Sequence, residues 1–179
     1  MALKPTIYKL RIALSDTNRH YYDTLNLTIA QHPSETIERM MVRMLAFCLN
    51  AQDNLTFAKG LSATEEPDLW ARTLDDVLEL WIDVGEPAPD RIKKATRLAQ
   101  QVKVYCFNKK SDTWWSQGQA SIKDLNAAVF QFPLNEIKAL TSLVERTMDL
   151  SVTITENSAY IAAKNGECEV NWSVLQNPQ

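Results

Sequence analysis

Residues 77–107 constrain the fold more than any other stretch. Val77-Leu78-Glu79-Leu80-Trp81-Ile82-Asp83-Val84 is an apolar run of strand length stopped by Gly85, and Leu78, Leu80, Ile82 and Val84 share one of its faces. Pro87 and Pro89 cannot continue a strand. After them Ile92, Ala95, Leu98, Ala99 and Val102 recur at helical spacing, and a strand over 102–107 follows directly. Strand, helix, strand predicts a parallel pair joined by a right-handed crossover, and hence an α/β core.

The flanking segments read differently. Thr6, Tyr8, Leu10, Ile12 and Leu14 alternate onto one face, Ser15-Asp16-Thr17-Asn18 supplies turn chemistry, and Leu25, Leu27 and Ile29 face together on the return, which predicts a β-hairpin. Ile37, Met40, Met41, Met44, Leu45 and Cys48 then mark a helix over 33–50, with Pro33 at its first position. Further along, the pattern predicts short strands over 55–61 and 128–132, a short helix over 111–118 and a helix over 134–148. The tail alternates again around Glu156-Asn157 and Asn165-Gly166. Asn-Gly between alternating segments signals a hairpin, so a three-stranded meander is expected, positioned to pair with the N-terminal hairpin into a second sheet. At 179 residues the chain is expected to form one domain, 1–179.

Charge and cysteine usage narrow the function classes. Nineteen Lys and Arg against twenty-two Asp and Glu give a formal charge of −3, so no bulk cationic field holds a phosphate backbone; any such contact needs a local basic patch. Cys48, Cys106 and Cys168 are widely spaced in apolar or alternating segments, which excludes a CxxC metal site and a disulfide framework and predicts buried thiols. His20 and His32 lack a second histidine at ligand spacing. The absence of any eighteen-residue apolar run and of an apolar signal core at the N-terminus predicts a cytoplasmic protein without a membrane span.

Against this background several acids stand out. Glu38 falls on the flank of the predicted helix's apolar arc, whereas Glu35, Arg39 and Arg43 map to the opposite, wet side. Glu79 and Asp83 alternate with Trp81 on the non-aliphatic face of the 77–84 strand, where ionised groups are costly unless paired or metal-bound. Four strand residues span roughly 13 Å, so these two acids cannot grip one metal without help from elsewhere. Lys94 lies at the apolar border of the following helix; Lys93 points further out. A helix with an inward acid, an acidic Pro-Asp stretch (Glu65-Glu66-Pro67-Asp68), a strand ending Ile82-Asp83-Val84-Gly85 and a helix bearing lysines is the order of PD-(D/E)xK nucleases, in which carboxylates hold Mg²⁺ and a lysine orients the attacking water. The lysine expected two residues after Asp83 is replaced by Gly85, so Lys94 would have to substitute for it.

The blocks HPSETIERMMVRMLAF (32–47), EEPDLW (65–70), LWIDVGEP (80–87) and RIKKA (91–95), with the opening MALKPTIYKL and the terminal EVNWS (169–173), resemble the YaeQ family of bacterial proteins over essentially the entire chain. The resemblance implies a restriction-endonuclease-like variant of the PD-(D/E)xK fold: a mixed β-sheet flanked by helices, plus N- and C-terminal antiparallel strands. It places Glu35, Glu38, Glu66, Glu79, Asp83, Lys93 and Lys94 within family motifs.

Two functions follow from this order of residues. One is a Mg²⁺- or Mn²⁺-dependent phosphodiesterase acting on nucleic acid. Glu38, Asp83 and Lys94 would be catalytic, and Glu38, Glu66, Asp68, Glu79 and Asp83 are the candidate metal ligands. The other is a catalytically degenerate module that binds nucleic acid or a protein partner through the basic cluster Arg91, Lys93, Lys94, Arg97 and Lys103, or through exposed aromatics. Trp114-Trp115 is notable there: adjacent helical residues point about 100° apart, so one of the pair is expected to mark an interface.

Overall fold

The computed structural model describes residues 4–178, so the first three residues of the opening segment lie outside it. The described chain folds into two compact units, each built from non-contiguous segments: residues 1–49 with 133–172, and 50–132 with 173–179. Each unit carries one mixed sheet, and the four α-helices among the described residues are shared between the units. No helix is long and apolar enough to cross a membrane.

In the first unit, β1 (Thr6–Asp16) and β2 (Tyr21–Gln31) form the expected hairpin, in register from Thr6 opposite Gln31 to Asp16 opposite Tyr21. Asp16 closes the turn: its Oδ1 accepts the N–H groups of Asn18 and Arg19, and its Oδ2 accepts from Arg19 Nε at 2.7 Å. The C-terminal meander also forms as expected. β8 (Thr147–Thr155), β9 (Ser158–Ala163) and β10 (Gly166–Asn171) are antiparallel neighbours, and β8 joins β1 in parallel to give the order β10-β9-β8-β1-β2. The alternating apolar set Leu10, Ile12, Leu14, Met148, Leu150, Val152 and Ile154 is buried along the β1/β8 pair.

Helix α1 (Ile37–Leu49) starts later than Pro33. Thr36 is the reason: its hydroxyl accepts the Arg39 N–H, and its carbonyl begins the helical ladder by accepting from Met40. The helix is buried almost all round from Met40 to Cys48, and this burial includes Arg43. The expectation that Glu35 and Arg43 lie on the wet side is therefore corrected. Glu35 and Arg43 are both 6% exposed and form a two-pronged ion pair, Nη2 to Oε1 at 2.6 Å and Nε to Oε2 at 2.9 Å, with Arg39 adding a third contact at 2.7 Å. Arg43 Nη2 also donates to the Ala30 carbonyl and, with Asp23 accepting the Thr24 N–H, satisfies backbone of the sheet's terminal strand β2 that a further strand would otherwise pair with.

Helix α4 (Leu134–Thr141) is half the expected length. Met148 fits the helical period of Ile137 and Leu140 and equally the period of two of Leu150, Val152 and Ile154. The strand prevails because it pairs with β1 over its length, and the Thr141 and Ser142 hydroxyls donate back to the Lys138 and Ala139 carbonyls at the helix end.

The second unit contains β3 (Leu55–Phe57), a single 3-10 turn (Gly60–Ser62), β4 (Leu69–Arg72), β5 (Leu78–Val84), α2 (Pro89–Leu98), β6 (Gln101–Cys106), α3 (Ser111–Ile122), β7 (Ala127–Gln131) and β11 (Ser173–Gln176). Its sheet order is β11-β7-β6-β5-β4-β3, with β5, β6 and β7 mutually parallel. The predicted strand–helix–strand unit is therefore present and is followed by a second one. Pro89 opens α2, and Val102 belongs to β6 rather than to the helix. After the Asn165-Gly166 turn the chain divides at Trp172 into β10 and β11, which enter different sheets.

A cluster of Trp81, Ile92, Ala95, Val102, Val104, Ile122 and Val129 places α2 and α3 over the face of β5 that carries Trp81, so this face is covered and not wet. Trp114 and Trp115 both pack half-buried against the same cluster with their rings 6.0 Å apart, and Trp114 Nε1 donates to the Pro87 carbonyl. The pair therefore joins core packing and offers no isolated anchor. Cys48 and Cys106 are buried as expected, which pushes both thiols up to about 12; Cys168 is half-buried and also raised.

Glu35→Ala leaves the buried Arg43 guanidinium without its counter-charge and is expected to destabilise the protein by about 3–5 kcal/mol in urea unfolding. A loss within about 0.5 kcal/mol would mean that this ion pair is not what holds α1 against β2.

Candidate functional site

The βα turn after β5 determines where the candidate residues fall. β5 runs to Val84, Gly85 adopts φ +110° in a region open only to glycine, and α2 begins at Pro89. That reversal brings the first turn of α2 back over the end of β5. Asp83 is 3% exposed on β5, and Arg91 meets it from α2 with two prongs, Nε to Oδ2 at 2.9 Å and Nη2 to Oδ1 at 3.2 Å. The same guanidinium donates to the backbone carbonyls of Thr64 and Glu66 and lies 5.8 Å from the centre of the Trp81 ring. One arginine thus joins a strand end, a helix start and an irregular loop.

Asp68 is the neighbouring acid. Leu69 pairs with Ile82 across the antiparallel β4/β5 ladder, so the next positions outward are Asp68 and Asp83. Asp68 is also 3% exposed, and its Oδ2 accepts the Val84 N–H at 2.8 Å. Gly60 crowds it: with φ +51°, a Cβ added there would stand 2.7 Å from Asp68 Oδ1, so glycine is required both for backbone geometry and for the close approach.

Within this unit, the remaining expected site residues have other partners. Glu79, half-buried on β5, accepts from Asn54 Nδ2 at 3.0 Å and Gln52 Nε2 at 3.4 Å. Glu66 contributes its backbone carbonyl to Arg91. Lys94 is exposed and paired with exposed Glu65 at 3.0 Å, and this hydrogen bond holds the Glu65 carboxyl below its ordinary range. Glu38 lies in the first turn of α1, half-buried, in the other compact unit.

The structure therefore brings Asp68 and Asp83 to adjacent strands and closes Asp83 with Arg91. Among the described residues no three His, Cys, Asp or Glu side chains gather to hold a metal ion. The donor set in this arrangement does not fit Mg²⁺ or Mn²⁺, since both Asp83 oxygens face a guanidinium and one Asp68 oxygen is engaged by a backbone N–H. Arg91 is the residue that sequence reasoning placed only in a basic cluster. Its position in the first turn after a strand–Gly–Pro–Pro break, eight residues from a buried acid, was the available signal.

A mixed α/β chain with two mixed sheets and, among the described residues, four helices defines a class shared by bacterial proteins with solved structures. The model of the YaeQ protein family matches residues 1–172, and the chain belongs to that family. It is 36% identical to the YaeQ protein of Escherichia coli (strain K12) over 180 residues, covering 99% of each. The crystal structure of the YaeQ protein from Xanthomonas axonopodis pv. citri superposes with a TM-score of 0.90 at 36% identity, covering 97% of this chain and 99% of that one. The YaeQ protein from Pseudomonas syringae gives a TM-score of 0.92 at 33% identity, covering 97% of each. Membership brings the fold and not a reaction.

Removing Arg91 exposes the role of the pair. Arg91→Leu is expected to cost about 2–3 kcal/mol in urea unfolding, below the range for a fully buried pair because Arg91 is one-third exposed. Lys94→Gln should stay within about 0.5 kcal/mol. Equal losses for the two variants would contradict the assignment of Arg91 as the pin.

Proposed function

We propose that the second unit is a nuclease-type core that recognises phosphate without cleaving. The observation that carries this reading is the two-pronged Arg91–Asp83 pair: a permanently charged side chain sits on the carboxylate that a PD-(D/E)xK enzyme would give to its metal. Gly85 stands where that pattern carries its lysine. What remains suited to a phosphate backbone is the outward side of α2, where Lys93, Lys94 and Arg97 are all exposed. The formal charge of −3 confines any such binding to this local patch, with a modest electrostatic contribution.

Fluorescence anisotropy with a 3′-labelled oligonucleotide bearing a 5′-hydroxyl tests this reading. Binding should weaken with salt at a slope of about −2 on a log–log plot for three cations on a single strand, and the slope should fall by about 1.4 in Lys93→Gln/Arg97→Gln. A salt-independent affinity, or one untouched by the double variant, would overturn it.

The metal-dependent phosphodiesterase is the second reading, favoured by the opposition of two buried acids, Asp68 and Asp83, across β4 and β5. Cleavage of the oligonucleotide in Mn²⁺ that Asp83→Asn abolishes would establish it in place of the first.

A further inference from the structure

Beside the Asp83–Arg91 pair, on the α2 side of β5, lies a groove of about 350 Å³ lined by Thr64, Glu65, Trp81, Asp90, Arg91, Lys94 and Ala95. Its volume is in the range of small-molecule sites. Trp81 forms one wall and is 4% exposed, yet its indole Nε1 has no acceptor. It is the one buried side-chain nitrogen or oxygen among the described residues without a hydrogen-bond partner. Buried donors are almost always satisfied, because leaving one unpaired forfeits its hydration with nothing in return, and an indole N–H can only donate.

Two donor-bearing side chains, Arg91 and Lys94, line the groove that Trp81 walls. Arg91 has five N–H groups, of which four are engaged: Nε with Asp83, Nη1 with Thr64, and Nη2 with Glu66 and Asp83. Lys94 is engaged only by Glu65, with both side chains well exposed at 65% and 79%.

We propose that this groove is a binding site for a terminal phosphate group, a phosphomonoester whose oxygens take the Trp81 indole N–H, the remaining Nη1 N–H of Arg91 and the Lys94 ammonium. Three donors arriving from strand and helix match the three terminal oxygens of a phosphomonoester, where a carboxylate has two. Glu65 is the internal competitor: its carboxylate holds Lys94, and ligand and Glu65 exchange on the same ammonium. Asp90 on the rim opposes more highly charged anions. Lys94 is two-thirds exposed and bonded to the exposed Glu65, so its side chain can swing aside to admit the ligand to the indole while Arg91 stays on Asp83. The choice of phosphate rests on the phosphate-recognition reading above; the site itself rests on the unpaired indole and the groove. The phosphomonoester could belong to a free small molecule or to the 5′ end of a nucleic acid.

The five tryptophans give five indole resonances in a ¹⁵N-correlated spectrum of the full chain. The Trp81 signal is assigned from Trp81→Phe or, should that variant not fold, by elimination using Trp→Phe at positions 70, 114, 115 and 172. Probes are inorganic phosphate, adenosine 5′-monophosphate, adenosine, and one oligonucleotide with and without a 5′-phosphate. The Trp81 resonance should move with at least one phosphomonoester and not with adenosine or the 5′-hydroxyl oligonucleotide. Response to the mononucleotide identifies a small-molecule site, and response to the 5′-phosphorylated strand alone identifies an end-binding site. Glu65→Gln should tighten binding about twofold to fivefold by freeing Lys94, and Lys94→Gln should weaken it about tenfold. No movement in either wild type or Glu65→Gln overturns the site even if α2 still binds 5′-hydroxyl strands, and a response unchanged in Lys94→Gln overturns it too.

Discussion

A buried carboxylate has to be compensated, and the way Asp83 is compensated organises the second unit. Withdrawing an ionised acid to 3% exposure costs several kcal/mol unless an opposite charge and good hydrogen bonds accompany it. Arg91 supplies both, and two more of its N–H groups bond the Thr64 and Glu66 carbonyls, so the irregular stretch between β3 and β4 is tied to the same guanidinium as the strand end. The tight geometry upstream follows from that need. Gly85 permits the reversal, Pro89 sets the helix start, and the return of the chain places Arg91 above Asp83.

The first unit repeats this logic with different segments. Glu35 sits just before α1, and Arg43 two turns along it reaches back to the carboxylate and to the Ala30 carbonyl of β2. In both units an acid beside an irregular connection pairs with an arginine on the adjoining helix, and in both the arginine also satisfies backbone carbonyls. Arginine suits the position because its planar fork serves a carboxylate and a carbonyl at once, which a lysine cannot do. Buried pairs of this kind add little net stability compared with apolar packing, but they make loss of one partner costly.

The elements with an unambiguous period were legible in the sequence. The β1/β2 hairpin, the parallel β5/β6 pair and the C-terminal meander joining the hairpin all follow from alternation, turn residues and the Gly85–Pro87–Pro89 break. What the sequence hid were places where two periods coincide or where a local pattern conceals a tertiary partner. Met148 satisfies both helix and strand spacing, and only pairing with β1 decides between them. Glu35, Arg39 and Arg43 at i, i+4, i+8 look like a solvated stripe, and the burial of Glu35 and Arg43 depends on β2 lying beside them. At the candidate site the acids Asp68 and Asp83 could be picked out as unusual, but not the identity of what neutralises them, because a carboxylate awaiting a cation reads the same in sequence whether the cation is a metal or a guanidinium. The placement of Lys94 at the apolar border held less information, since its partner is the exposed Glu65.

That last ambiguity separates a phosphate-recognising module from a hydrolase. Diffraction at the manganese absorption edge, from crystals grown in Mn²⁺, addresses it directly. The Arg91 guanidinium is expected still to sit on both Asp83 oxygens, with no anomalous peak between Asp68 and Asp83. A manganese peak bonded to those carboxylates, with Arg91 displaced, would contradict this expectation.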